Sequence, residues 1–155
     1  MSVRVGDIMT RGPASCAPAT TLRLVAQLMA DHDCAAIPVV SSGKLAGIVT
    51  DRDIACRAVA GGGDSRTLTA AQCMSQPVIV IGPDEPIERA IELMEENAVH
   101  HLPVMDQDGR LVGILAQSDV GRRMTNRQFG AMARMTSIRT RHSRAFVSAL
   151  VKTEH

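Results

Sequence analysis

Gly47-Ile-Val-Thr-Asp-Arg-Asp-Ile54 decides how this chain folds. Residues 46–49 are apolar and read as a short buried strand, which runs without a break into a helix starting near Asp51. A strand-to-helix junction aims backbone N–H groups and the positive end of the helix dipole at the space in front of it. That space suits an anion. Gly113-Ile-Leu-Ala-Gln-Ser-Asp-Val120 repeats the pattern. Two such junctions in one short chain point to two related ligand clefts.

Working outward, the correspondence holds at an offset of 65 to 66 residues. Asp7-Ile-Met-Thr10 matches Gln72-Cys-Met-Ser75. Pro18 matches Pro83, and the stretch 21–29 matches 86–94. Ala35-Ala-Ile-Pro-Val39 matches His100-His-Leu-Pro-Val104, Asp53 matches Asp119, and Arg57 matches Arg123. Each copy reads as an extended segment (14–17; 78–81), a helix, a strand, a tight turn, a second strand and a closing helix starting near Asp51 or Ser118. Leu22, Val25, Leu28 and Met29 mark the apolar face of the first helix, and Ile87, Ala90, Ile91 and Met94 that of its counterpart. Ser41-Ser-Gly43 and Asp106-Gln-Asp-Gly109 are hairpin turns. The expected fold is α+β, with two β-α-β-β-α repeats at 3–62 and 67–124 packed sheet to sheet with pseudo-two-fold symmetry. A basic amphipathic C-terminal tail covers 125–155.

Composition narrows the functions. The chain has 155 residues, 45% apolar, with 1% aromatics and neither Trp nor Tyr, so an aliphatic core is expected. So few aromatics argue against base-stacking platforms for single strands. The net charge of +1 hides an asymmetry: residues 1–124 hold 11 Lys+Arg against 15 Asp+Glu, and residues 125–155 hold 6 against 1. Cys16, Cys34, Cys56 and Cys73 form no CxxC pair and fit no zinc spacing, so small buried thiols in a reducing cytosol are expected. No basic-plus-apolar leader opens the sequence and no apolar run reaches about 18 residues. The chain reads as soluble and cytoplasmic, without a membrane partner. No nucleophile, base and orienter come together in the sequence, so an enzyme is not expected.

The doubled Asp-Ile-Met-Thr opening, the Ile-Pro-Val and Leu-Pro-Val strands and the Gly-Ile-Val-Thr-Asp-Arg-Asp-Ile junction resemble the CBS domain. The pair, over roughly residues 3 to 124, resembles a Bateman module of the small stand-alone bacterial kind. The resemblance implies a regulatory module that binds adenine nucleotides (AMP, ADP or ATP) in clefts between the repeats, without catalysis and with no tightly bound cofactor. A homodimer acting on an unidentified regulated protein is the expected assembly.

The resemblance also implies roles. The Asp53 carboxylate can accept from two ribose hydroxyls, with Thr50 on the phosphate side; Thr-x-x-Asp is equally a capping box that needs no ligand. In the second copy Asp119 is kept but Ala116 replaces the hydroxyl, so the Thr50/Asp53 pocket is expected to be the better one. Ile37, Pro38 and Val39, with Leu102, Pro103 and Val104, offer an apolar slot for adenine, or an ordinary strand facing the core. Their prolines are expected to interrupt strand pairing. His100 and His101 stand where the family often carries phosphate-facing basic residues. Strand alternation puts one of them in the cleft, and both can equally be surface residues. A metal site of His100 or His101 with Cys34 or another histidine is a minor alternative. Arg52, Arg57, Arg122 and Arg123 can meet phosphates or pair on the surface.

Phe129, Met132, Phe146, Val147, Leu150 and Val151 in the tail read as amphipathic helices that cover the module or a second subunit. The tail's basic residues make nucleic acid an unfavoured partner rather than an excluded one. The alternative functions are a stress-related or metal-sensing interaction protein with degenerate pockets, and a nucleic-acid-associated regulator using the tail.

Overall fold

The computed structural model describes residues 3–123. The tail expected at 125–155 lies outside the described residues. In chain order the elements are α1 (Val5–Ile8), β1 (Thr10–Arg11), α2 (Leu22–His32), β2 (Ala36–Ser41), β3 (Lys44–Thr50) and α3 (Asp51–Asp53). α3 widens directly into a π-helical stretch, Ile54–Val59. Then follow α4 (Ala70–Cys73), α5 (Ile87–Asn97), β4 (His101–Met105), β5 (Leu111–Ala116) and α6 (Gln117–Gly121). This is the mixed helix-and-strand, two-repeat architecture that the sequence pattern predicts.

Local chemistry sets these boundaries. Thr21 caps α2 by accepting from the Leu24 N–H at 3.4 Å. Asp33 and Ala98 close α2 and α5 in the left-handed region, at φ 48° and 52°. The first hairpin turns on Ser42 and Gly43, with φ 51° and 74°. In the second, Asp106 Oδ1 accepts from the Asp108 and Arg110 N–H groups at 2.9 Å. Leu22 and Val25 of α2, and Ile87, Ala90 and Met94 of α5, are buried as their spacing predicts.

Each repeat builds its own core. One cluster gathers Leu22, Val25, Ile37, Val39 and Val49; the other gathers Ile87, Met94, Leu102, Val104 and Leu115. β2 pairs antiparallel with β3, and β4 pairs antiparallel with β5. The expected first strands shrink to single parallel bridges, Cys16 to Val39 and Ile81 to Val104. The prolines do not interrupt pairing as expected. Pro38 lies opposite Ile48 and Pro103 opposite Ile114, and the register shifts only one residue further on, between Val39 and Val40 and between Val104 and Met105, because those ladders do not call on the donor that proline lacks.

The opening motif of each repeat joins the other repeat. β1 pairs with β5, setting Thr10 opposite Ile114, and Ser75 exchanges both backbone hydrogen bonds with Ile48 at 2.8 and 3.2 Å. Val5 and Met9 enter the second core, and Ala70 and Cys73 enter the first. Glycines make room for this crossing: a Cβ at Gly47 would collide with the Met74 side chain, and one at Gly113 with Met9. The two repeats are thereby stitched into one body.

Cys16 and Cys73 are buried, but Cys34 is only partly covered and Cys56 is exposed, so burial does not extend to all four thiols; all four are free. Burial pushes the Cys16 thiol up to about 11.

Candidate functional site

Two clefts open between the repeats, and they are counterparts. The first, about 560 Å³, has Ile48, Thr50, Asp53 and Ser75 on one wall and residues 98–101 on the other. The second, about 530 Å³, has Ile114, Ala116, Asp119 and Thr10 on one wall and residues 33–36 on the other. These wall residues correspond at the repeat offset: Ile48 to Ile114, Thr50 to Ala116, Asp53 to Asp119, Ser75 to Thr10 and 98–101 to 33–36. The clefts therefore stand where the two strand-to-helix junctions meet the start of the opposite repeat's first full strand.

The backbone frame is the same in both. The Asp51 N–H donates to the Ala35 carbonyl at 3.0 Å, and the Gln117 N–H to the His100 carbonyl at 2.9 Å. The Asp53 Oδ2 accepts from the Thr50 N–H at 3.0 Å. The Asp119 Oδ2 accepts from the Ala116 N–H at the same distance. These bonds hold both carboxylates at the cleft edge.

The side chains then diverge. The Thr50 hydroxyl accepts from the Asp53 N–H at 3.2 Å, completing a capping box. The Ser75 hydroxyl donates to Asp53 Oδ1 at 3.1 Å, and Arg57 Nε lies 3.8 Å from the same oxygen. Asp53 is buried, 8% exposed. The Arg52 N–H donates to Asp51 Oδ1 at 2.8 Å. The first N–H groups of the junction, on Asp51, Arg52 and Asp53, are thus all engaged inside the protein. The free N–H cluster that the sequence predicts is absent here. In the second cleft Ala116 offers no acceptor to the Asp119 N–H. Asp119 has an ion contact with Arg122 at 3.9 Å, and its carboxylate is more open, at 20% side-chain exposure against 11% for Asp53.

Thr50, Asp53, His100 and His101 line the first cleft together, and Asp119 lines the second. His101 lines both. The alternation that would admit one histidine fails because β4 begins at His101, so His100 precedes the strand and is not bound by its pleat. Burial, and next the neighbouring His100, lower the His101 pKa from its ordinary 6.5, while Asp51 and Asp119 pull it back up. Ile37, Val39, Leu102 and Val104 are fully buried in the two cores, and with Pro38 and Pro103 they line neither of these clefts. Residues 36–39 and 102–104 are continuous buried apolar runs, as in a strand covered on both faces. Among the arginines, Arg52 lines the first cleft and Arg122 the second. Arg57 instead clamps the crossing segment, donating to the Cys73 and Met74 carbonyls at 3.1 and 2.9 Å. Ser75 and Thr10 were legible as matched ends of the opening motif, but nothing in the sequence says that this end crosses into the opposite cleft.

Among the described residues no group of three or more His, Cys, Asp or Glu is placed to hold a metal ion. No helix among them is long and apolar enough to cross a membrane.

Comparison with known proteins places the fold. The CBS domain family model matches residues 5–58 and again 70–126. The chain belongs to the CBS domain family and carries two copies of the domain. It is similar to the CBS domain-containing protein YhcV of Bacillus subtilis, 39% identical over 128 residues that make up 82% of this chain and 90% of the relative. Among solved structures it resembles Hypoxic Response Protein I with two coordinated zinc ions (32% identity, TM-score 0.71, 79% of this chain and 100% of that one). It also resembles the CBS domain pair of protein MJ0100 in complex with 5′-methylthioadenosine and S-adenosyl-L-methionine (29%, TM-score 0.72, 79% and 95%). The structure of CBSX2 in complex with AMP is a further match (26%, TM-score 0.65, 77% and 93%).

Proposed function

We propose that this chain is a regulatory protein that binds an adenine nucleotide of the AMP, ADP or ATP class in the clefts between its repeats, and that it has no catalysis of its own. The observation that carries this reading is the duplicated carboxylate. Asp53 and Asp119 are each fixed by the N–H three residues earlier, at 3.0 Å, at the edge of a cleft within the roughly 300–1,000 Å³ typical of small-molecule sites. A carboxylate so held is an acceptor pair for a vicinal diol such as that of ribose. The apolar residues Ile48 and Ile114, rather than the Ile-Pro-Val and Leu-Pro-Val strands, are available to the base. His101, with Arg52 in one cleft and Arg122 in the other, is available to phosphate. The adenosine-containing ligands of MJ0100 and CBSX2 support the same ligand class here. A ligand touching both repeats favours one relative placement of them, and a partner protein reads that population shift. A homodimer in the cytoplasm is the proposed working form.

Calorimetry and thermal shift with AMP, ADP, ATP, NAD and S-adenosylmethionine test this. At least one of the adenine nucleotides should raise the melting temperature, and the Asp53→Ala/Asp119→Ala variant should lose that response. A melting temperature that no adenosine compound moves, but that zinc does, would overturn the reading in favour of a metal-sensing protein.

A further inference from the structure

The Asp53 carboxylate is already occupied by the protein itself. Oδ2 takes the Thr50 N–H, and Oδ1 takes the Ser75 hydroxyl at 3.1 Å. Ser75 is not a wandering surface side chain. Its backbone is pinned to Ile48 by two hydrogen bonds, 2.8 and 3.2 Å, in the segment that crosses from the second repeat. Its hydroxyl therefore stays within reach of Oδ1 and occupies the acceptor that a ligand diol needs. The counterpart in the other cleft, Thr10, is pinned opposite Ile114 in the same way. Among the described residues, however, Asp119 shows a hydrogen bond only from the Ala116 N–H, and Thr10 does not hold its Oδ1.

We propose that Ser75 is an internal competitor for the Asp53 carboxylate, a specificity-determining residue that weakens hydroxyl-bearing ligands in the first cleft and makes the Asp119 cleft the tighter of the two. This rests on the reading of both carboxylates as diol acceptors. It reverses the ranking expected from the hydroxyl of Thr50, because the Ser75 hydroxyl holds Asp53 Oδ1 while Thr50 only accepts from the Asp53 N–H. A ligand entering the first cleft must displace the serine hydroxyl before it gains its own bond. A ligand entering the second meets an Oδ1 that accepts no hydrogen bond among the described residues and has only the ion contact with Arg122, at 3.9 Å, beside it.

The test is AMP calorimetry on the full chain. Asp119→Ala isolates the first cleft, and Ser75→Ala is then added to it. Removing the competitor should tighten AMP roughly three- to tenfold, the worth of one hydroxyl hydrogen bond. It should leave 2′-deoxy-AMP, which cannot chelate the carboxylate through two hydroxyls, little changed. Melting curves identify any variant that fails to fold. AMP affinity that stays the same or falls in the Ser75→Ala variant overturns the competition while leaving nucleotide binding intact. Loss of all AMP binding from the unmutated chain as well would overturn both, and the two failures are thereby told apart.

Discussion

The two clefts share a backbone and differ in their side chains. Both carboxylates hang from an N–H at 3.0 Å, and both junctions brace the strand start of their own repeat, through Ala35 or His100. Yet the first cleft has closed its hydrogen bonds on itself through Thr50 and Ser75, and the second has not. A duplicated fold thus fixes where a site stands, while single side chains decide whether its groups are available. The cleft that carries the fuller motif is the one whose polar atoms are already partnered.

The cores should behave as twins even though the clefts do not. Ile37 and Leu102 are both fully buried at matching positions, so Ile37→Ala and Leu102→Ala should each cost about 2–5 kcal/mol in denaturant unfolding. A large gap between the two would show that one repeat carries the stability and would break the equivalence. The crossing segments come next. Gly47→Val meets Met74 and Gly113→Val meets Met9, so each should cost about 1–3 kcal/mol by overpacking. Should either be silent in the same experiment, the crossing is looser than the structure shows.

Exchanging the caps sharpens the contrast. Thr50→Ala removes the acceptor of the Asp53 N–H and should lower stability by about 1 kcal/mol, whereas Ala116→Thr should return a similar or smaller gain. Melting temperatures that move in the same direction for both would refute the assignment. The smallest effect is that of pH. The folded-state pKa of His101 is lowered, chiefly by burial. The stability it contributes is therefore present above its ordinary value of 6.5 and lost as pH falls through the lowered folded value, because the unfolded chain takes the proton first. His101→Gln should flatten that part of the stability-against-pH curve. Because His101 lines both clefts, it should also flatten any tightening of AMP binding on acidification.

The repeat, its helices and its hairpins were legible in the sequence because apolar spacing and turn residues are local signals. Leu22, Val25, Ile87 and Met94 lie where that spacing puts them. The crossing of Met9 and Met74 was not legible: a two-residue strand such as Thr10–Arg11 carries no mark of the sheet it joins. At the site, the sequence identified Thr50, Asp53, Asp119 and the histidine pair as cleft residues. It could not separate Ile-Pro-Val as slot from Ile-Pro-Val as core, since apolar residues serve either, and burial assigns these strands to the cores. Ser75 escaped notice because its importance depends on a contact 22 residues away in sequence.

Comparison of Asp53→Ala with Asp119→Ala by AMP calorimetry tests the central contrast most directly. Loss of an ionised acceptor should weaken binding roughly 10- to 100-fold at the affected cleft. The account predicts that Asp119→Ala removes the tighter site and Asp53→Ala leaves it in place. Loss of the tighter site in Asp53→Ala, with Asp119→Ala binding as the unmutated chain does, would contradict it.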